Sequence, residues 1–445
     1  MTNYQWQKLN ILKLINISLI GIGIQFLAGK SATLEPLELL LWENAAIFDI
    51  PNEEDPKIEE FTQEYLQSLK NRGASQNRQG ISLHSDWVDF SDHNGNIPLS
   101  AASLTKIVTS LASLKTWDVN HRFNTYVYHD GVIENDILNG DLIIKGNGNP
   151  LYVWEEAIAL GNVLNELGIS EVTGDLLILD KFYMNFKTDP KTSAQFLRRG
   201  INNKLWNREI IKIYELLPAN TPRPYVKISG NIEVIEALPE HSKLLLNHQS
   251  LNLVEILRQM NIYSNNYIAQ MLADQIGKPE KIRQLALQIA DIPIEEINII
   301  NGSGLGGENK ISSHVACEMM LAGDRYLENF NLGIEDIFPV GEKDIVGTAE
   351  YRNIPSGISF KTGTLPSIKV SALAGIIPTT NYGNICFALI NKDLHYLDAR
   401  QQQDVFLNKL SEHWEIIPFS GKDNSKTQEK LGDPNRIILE NNFKG

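Results

Sequence analysis

The sequence predicts a mixed α/β protein of the α+β kind, in which a larger body of helices and strands is interrupted by a smaller α+β insertion. Two observations carry this. Apolar residues recur at helical spacing in the outer parts of the chain, as at Leu104, Ile107, Val108 and Leu111 (i, i+3, i+4, i+7). Between residues 118 and about 235 the pattern changes to short strand-like runs around turns. At 445 residues and 42% apolar content, the chain suits two domains and a sizeable core.

The elements follow in order. Lys8 and Lys13 precede an apolar run from Leu14 to Ala28, and no acidic residue occurs before Glu35. A basic start followed by a 15-residue apolar region has the form of a secretory signal. It falls short of the ~20 apolar residues of a spanning helix. A cleaved signal over residues 1–32 is favoured, although Gly29-Lys30-Ser31-Ala32 offers no A-x-A, and an uncleaved membrane anchor stays open. Gly29-Lys30-Ser31 imitates the end of a phosphate-binding P-loop, but that motif needs glycine where Ile24 stands, so nucleotide binding is rejected.

The first part of the main body is assigned to 33–117. Residues 61–69 have helical spacing, 80–90 read as a strand, 92–96 (DHNGN) as a turn, and a helix follows Pro98 with Ser103 near its start. The insertion is assigned to 118–235. It holds strand-like 127–133, 139–145 and 172–179, a turn at 146–150 and a helical pattern over 154–168; from 183 to 224 the signal fades into basic residues and prolines. The second part of the main body, 236–418, carries helices at 251–260 and 267–276, a glycine-rich loop at 301–307, strands at 360–363, 370–377 and 385–390, and a helix at 399–410. Residues 419–445 read as a loose polar tail.

A net charge of −14 argues against a nucleic-acid partner, which calls for a basic face. The two cysteines, Cys317 and Cys386, form no CxxC or Cys/His cluster, so no metal site is expected. They are read as buried, inert thiols, with a disulfide left open.

Three strings carry chemistry: Ser103-Leu104-Thr105-Lys106, Ser264-Asn265-Asn266 and Lys361-Thr362-Gly363. S-x-x-K and K-T-G each occur once, whereas S-x-N also occurs at Ser75, Ser229 and Ser250, so position and context select Ser264. A serine hydroxyl needs a base to become a nucleophile, and a lysine whose pKa falls towards neutrality can serve. Burial and the nearby Lys361 cation are both expected to lower Lys106. The i, i+3 spacing puts Ser103 and Lys106 on one side of a helix, whose N-terminus presents the Ser103 N–H to a developing oxyanion. Ser264 is suited to relaying a proton between Lys106 and a leaving amine, and Asn266 to holding a substrate amide. Lys361 and the Thr362 hydroxyl suit a terminal carboxylate, Gly363 permits close backbone approach, and the Thr364 N–H is the expected second oxyanion donor. Each string alone has a bland reading: a solvated Ser/Lys pair, a helix cap, a lysine before a turn. The ordered set outweighs those readings.

In this order the strings resemble the signatures of active-site serine penicillin-recognising enzymes. The chain looks like the low-molecular-mass class C penicillin-binding proteins, the D-Ala-D-Ala carboxypeptidase/endopeptidase family. The likeness extends to Val88-Asp89, residues 98–106 (PLSAASLTK), 140–150 (GDLIIKGNGNP), 263–270 (YSNNYIAQ), 301–305 (NGSGL), Gly347-Thr348, 361–365 and 370–375 (VSALAG), and covers roughly residues 60–415. It implies a serine β-lactamase-type domain, with an antiparallel sheet flanked by helices. It also implies an acyl-enzyme on Ser103 formed from D-Ala-D-Ala peptides of peptidoglycan, inhibition by β-lactams, export to the periplasm or cell envelope, and no metal or cofactor. In one departure, the 161 residues from Ser103 to Ser264 are fewer than this family usually has, so part of the insertion is expected to be cut down. Two rival readings remain: a β-lactamase, disfavoured because no E-x-x-L-N string occurs, and a non-catalytic wall-binding scaffold, disfavoured by the intact motifs.

Overall fold

In the computed structural model, residues 55–418 and 429–440 are described. The expected signal or anchor at 1–32 lies outside them. Among the described residues no helix is long and apolar enough to cross a membrane.

The main body is built on a five-stranded antiparallel sheet, in the order Ser359–Leu365, Val370–Thr379, Gly383–Lys392, Gly80–His84, Asp89–His93. An early and a late segment of the chain meet in it, with Ile81 opposite Leu389 and Leu83 opposite Phe387. The predicted strand over 80–90 is therefore two strands, which form a hairpin.

The period of two along the central strands sorts their side chains by size. Leu373, Phe387 and Leu389 face a cluster with Leu66, Leu69, Phe406 and Leu407. These come from helices Pro56–Asn71 and Tyr396–His413, where Tyr65 stacks on Phe406 at 4.8 Å. Ala372, Ala374 and Ala388 face the other way, into a cluster with Leu104, Val108, Leu111 and Met319. Small residues on that face let the Ser103 segment approach the sheet. The helix Thr105–Thr116 is buried all round from Thr105 to Leu114, as expected of a central helix.

Cys317, on helix Ser313–Glu328, and Cys386, on strand Gly383–Lys392, form a disulfide between that helix and the sheet. This corrects the expectation of inert thiols. Pairing requires that a helix and a strand separated by 69 residues pack face to face, which spacing alone does not reveal.

A second core gathers Val127, Leu142, Ile144, Trp154, Ile158, Leu176, Ile178 and Leu197. Its six-stranded mixed sheet runs Ile232–Ile235, Leu176–Lys181, Leu142–Asn147, Asn124–His129, Lys243–Gln249, Ile437–Leu439. Two of these strands lie beyond residue 235. Where the sequence signal fades, the chain forms helices Pro190–Gly200 and Arg208–Leu216, capped by Asp189 and Asn207. Both are short, at 11 and 9 residues, so each offers only two to three turns of pattern. Residues 429–440, expected within a loose tail, are anchored instead. Ile437–Leu439 pairs with Lys243–Gln249. The buried Arg436 reaches Glu156 at 2.5 Å, and Glu156 also meets His248 at 2.7 Å.

Candidate active site

Ser103 sits in a 3-10 turn, Ala102–Leu104, directly before helix Thr105–Thr116. The turn is strained: Ala102 has φ +48°, a left-handed conformation that costs ~1 kcal/mol or more for a residue with a Cβ. Local bonds hold it there. Leu104 N–H donates to the Ala101 carbonyl at 3.0 Å, and the Thr105 hydroxyl to the Ala102 carbonyl at 2.9 Å. The 301–309 loop clamps it from outside. Ala101 N–H donates to the Asn309 carbonyl at 2.9 Å, and a Cβ at Gly304 (φ +82°) would fall 1.9 Å from the Ala102 carbonyl oxygen. Only glycine fits that contact.

Lys106 is fully buried on the next turn. Its Nζ lies 3.0 Å from Ser103 Oγ, 2.7 Å from Asn266 Oδ1 and 2.6 Å from the Ser303 carbonyl oxygen. Burial pushes its pKa down to about 7. The two shortest contacts are to acceptors that cannot donate. A neutral amine therefore spends both N–H groups on them and turns its lone pair to the remaining partner, the Ser103 hydroxyl. That is the arrangement a general base requires.

Ser264 follows helix Leu253–Ile262 with φ +50°, and Asn265 caps the next helix, Asn266–Ile276, through bonds from the Tyr267 and Ile268 N–H groups. The turn sends the two side chains of S-x-N to different lysines. Asn266 meets Lys106, and Ser264 Oγ lies 3.0 Å from Lys361 Nζ.

Lys361 is also fully buried, and its Nζ donates to the Thr362 carbonyl at 2.9 Å. Burial, then the Lys106 charge, then Arg400 hold its pKa well below the ordinary lysine value. Burial is the leading cause for both lysines, and the repulsion between the two amines acts on the pair.

Strand Ser359–Leu365 lies at the edge of the sheet. Phe360 N–H donates outward, away from the neighbouring strand, to the Pro339 carbonyl at 2.9 Å. By the period of two, the N–H groups of Thr362 and Thr364 point to the same open edge. A Cβ at Gly363 would fall 2.8 Å from the Ala101 carbonyl oxygen and 3.1 Å from the Ser103 nitrogen. Gly363 thus lets the strand approach the Ser103 turn closely.

All eight sequence-selected residues therefore fall at one site, where the helix Thr105–Thr116, the Ser264 turn and the edge strand meet. Thr362 contributes a carbonyl contact to Lys361; Thr364 Oγ1 accepts from Arg400 at 2.8 Å. Sequence reasoning missed Ser303, Asn309 and Arg400. The first two act through main-chain groups whose direction a sequence does not display, though 301–307 stood out as glycine-rich. Arg400 lies 36 residues beyond Thr364 in an ordinary-looking helix.

Residues 72–192 and 221–410, more than half of the chain, match the sequence model of the D-Ala-D-Ala carboxypeptidase 3 (S13) family. A stretch of 89 residues is 31% identical to D-alanyl-D-alanine carboxypeptidase DacB of Haemophilus influenzae; it covers 20% of this chain and 19% of that protein, about a fifth of its length. The predatory endopeptidase Bd3459 of Bdellovibrio bacteriovorus, solved in complex with immunity protein Bd3460, is similar in structure with a TM-score of 0.67 at 20% identity over 82% of this chain and 100% of that one. Penicillin binding protein 4 (dacB) from Haemophilus influenzae gives 0.59 at 17% identity over 80% and 98%. The fold is that of the penicillin-binding proteins. The chain belongs to the D-Ala-D-Ala carboxypeptidase 3 (S13) family.

Proposed function

We propose that this protein is a D-Ala-D-Ala carboxypeptidase that acts on the stem peptides of peptidoglycan through an acyl-enzyme on Ser103. Family membership makes it a serine peptidase. The observation that supports the finer reading most is the Lys106 amine, lowered to about 7 by burial and 3.0 Å from Ser103 Oγ.

In this reading the substrate lies along the open edge of strand Ser359–Leu365, with its terminal carboxylate at Lys361 and Thr362. Asn266 holds the substrate amide. Lys106 takes the Ser103 proton as Oγ attacks the penultimate D-Ala carbonyl. The Ser103 and Thr364 N–H groups receive the oxyanion. Ser264, bonded to Lys361 before substrate arrives, turns to carry the proton from Lys106 to the leaving D-Ala amine, the C–N bond breaks, and an ester on Ser103 remains. Water, deprotonated by the same base, then attacks that ester and frees Ser103. A β-lactam acylates Ser103 by the same attack, but its leaving nitrogen stays tethered. Such a substrate places the protein in the cell envelope or periplasm, with residues 1–32 as its export signal or anchor.

The test is D-alanine release from a peptide ending in D-Ala-D-Ala. The expected result is release by the wild type and none by Ser103→Ala. A folded wild-type protein that releases no D-alanine contradicts the proposal.

A further inference from the structure

Behind the edge strand, helix Tyr396–His413 brings one guanidinium to the site that the motifs do not include. Arg400 Nη2 donates to Thr364 Oγ1 at 2.8 Å, and its Cζ lies 5.2 Å from the centre of the Tyr396 ring. The nearby carboxylate, Asp404, is taken up by Arg352, with contacts of 2.5 and 2.8 Å, and by the Asn353 N–H at 3.0 Å. Arg400 makes no ion pair among the described residues, and its Nε is buried without a partner. One flank borders an open groove of about 790 Å³, and the guanidinium stays charged by its intrinsic basicity. Its charge reaches the site, being one of the three causes that hold the Lys361 amine low.

Two consequences follow from chemistry. A threonine hydroxyl has one donor and two acceptor positions. With one acceptor position occupied by Arg400, the Thr364 O–H proton is directed elsewhere, as a donor. Lys361, Arg400 and Arg352 also gather three basic groups against one carboxylate, leaving the end of the strand short of negative charge. A bound carboxylate supplies it.

We propose that Arg400 is a specificity-determining residue, which acts through the Thr364 hydroxyl and through its own charge to favour acyl donors that end in a free carboxylate. This rests on the reading of Ser103 as the nucleophile for D-Ala-D-Ala peptides. Arg400 is a positioning residue, because Thr364 and Lys361 stand between it and the substrate.

The experiment compares kcat/KM for a peptide ending in D-Ala-D-Ala with that for the same peptide ending in D-Ala-D-Ala amide, in wild type, Arg400→Gln and Arg400→Lys. Thermal unfolding of each variant verifies folding. In Arg400→Gln the preference for the free acid is expected to fall roughly 10- to 100-fold, the range for losing one charge-assisted hydrogen bond. Arg400→Lys is expected to recover most of it. A merely structural Arg400 lowers both substrates together, and an unchanged acid-to-amide ratio in folded Arg400→Gln overturns the inference. A wild type that cleaves both substrates with no preference for the acid overturns it too, while leaving the Ser103 reading intact. A wild type inert towards both overturns the functional reading and this inference with it.

Discussion

Lys106 sets the pH dependence of the chemistry. Its pKa of about 7 makes the amine neutral above that value and protonated below it. Only the neutral form can take the Ser103 proton, so the rate of acylation by a penicillin should rise with pH through about 7 and then level. Below the midpoint it should fall about tenfold per pH unit. Stopped-flow acylation between pH 5 and 9 measures this, and a flat profile contradicts the assignment. Lys106→Met should lower the acylation rate by about 10²- to 10⁴-fold. At this scale the sequence is informative where side chains do the work. S-x-x-K, S-x-N and K-T-G name the residues because their functional atoms are in the side chains. The Ser303 carbonyl, 2.6 Å from Lys106, is hidden, since a main-chain acceptor exists at every position and only the loop's path decides where it points.

Among the elements, the 301–309 loop is the clamp on the Ser103 turn. Gly304→Ala puts a methyl group 1.9 Å from the Ala102 carbonyl oxygen, at a φ of +82°. Either the loop or the turn must move. The expected result is a loss of ~1–3 kcal/mol in denaturant unfolding together with slower acylation of Ser103. Full retention of both contradicts the clamp. The disulfide Cys317–Cys386 ties helix Ser313–Glu328 to the sheet and closes a 69-residue separation. Chain entropy assigns such a cross-link about 4 kcal/mol, so Cys317→Ala should lower unfolding stability by ~2–4 kcal/mol. An unchanged urea midpoint contradicts this. The helix Thr105–Thr116 was legible because its apolar residues keep the helical period. Helices Pro190–Gly200 and Arg208–Leu216 were not, because each is only 11 or 9 residues long and their amphipathic pattern is set among polar loops and prolines. The disulfide was not, because it depends on which helix packs on which strand.

For the molecule as a whole, the chain's late segment is fastened to the second core. Arg436 donates to Glu156, the Gln249 carbonyl and the Lys430 carbonyl, while Glu156 also receives His248 and the Gly432 N–H. Arg122 pairs with Glu429 at the same border. Removing one member of a buried ion network costs ~3–5 kcal/mol, because the remaining charge is left buried. Arg436→Ala should therefore destabilise the six-stranded sheet by about that amount and expose the 429–440 segment to limited proteolysis. Unaltered stability and protease resistance contradict this role. The composition of 419–445 suggested a loose tail, since polar residues near a terminus usually are. The partner that orders this segment, Glu156, stands 280 residues earlier, and no local pattern announces it. The architecture of the main body was legible for the opposite reason: its strands and helices carry their own periodicity, and the ordered motifs joined its two halves before the sheet did.

The account rests most heavily on Ser103 as the nucleophile. The most direct measurement is the intact mass of the purified protein after exposure to benzylpenicillin, with Ser103→Ala alongside. The predicted result is a single stable adduct of one penicillin per chain, mapped by peptide mass to Ser103 and missing from the variant. A folded wild-type protein that gains no mass, or an adduct that persists in Ser103→Ala, would contradict the central claim.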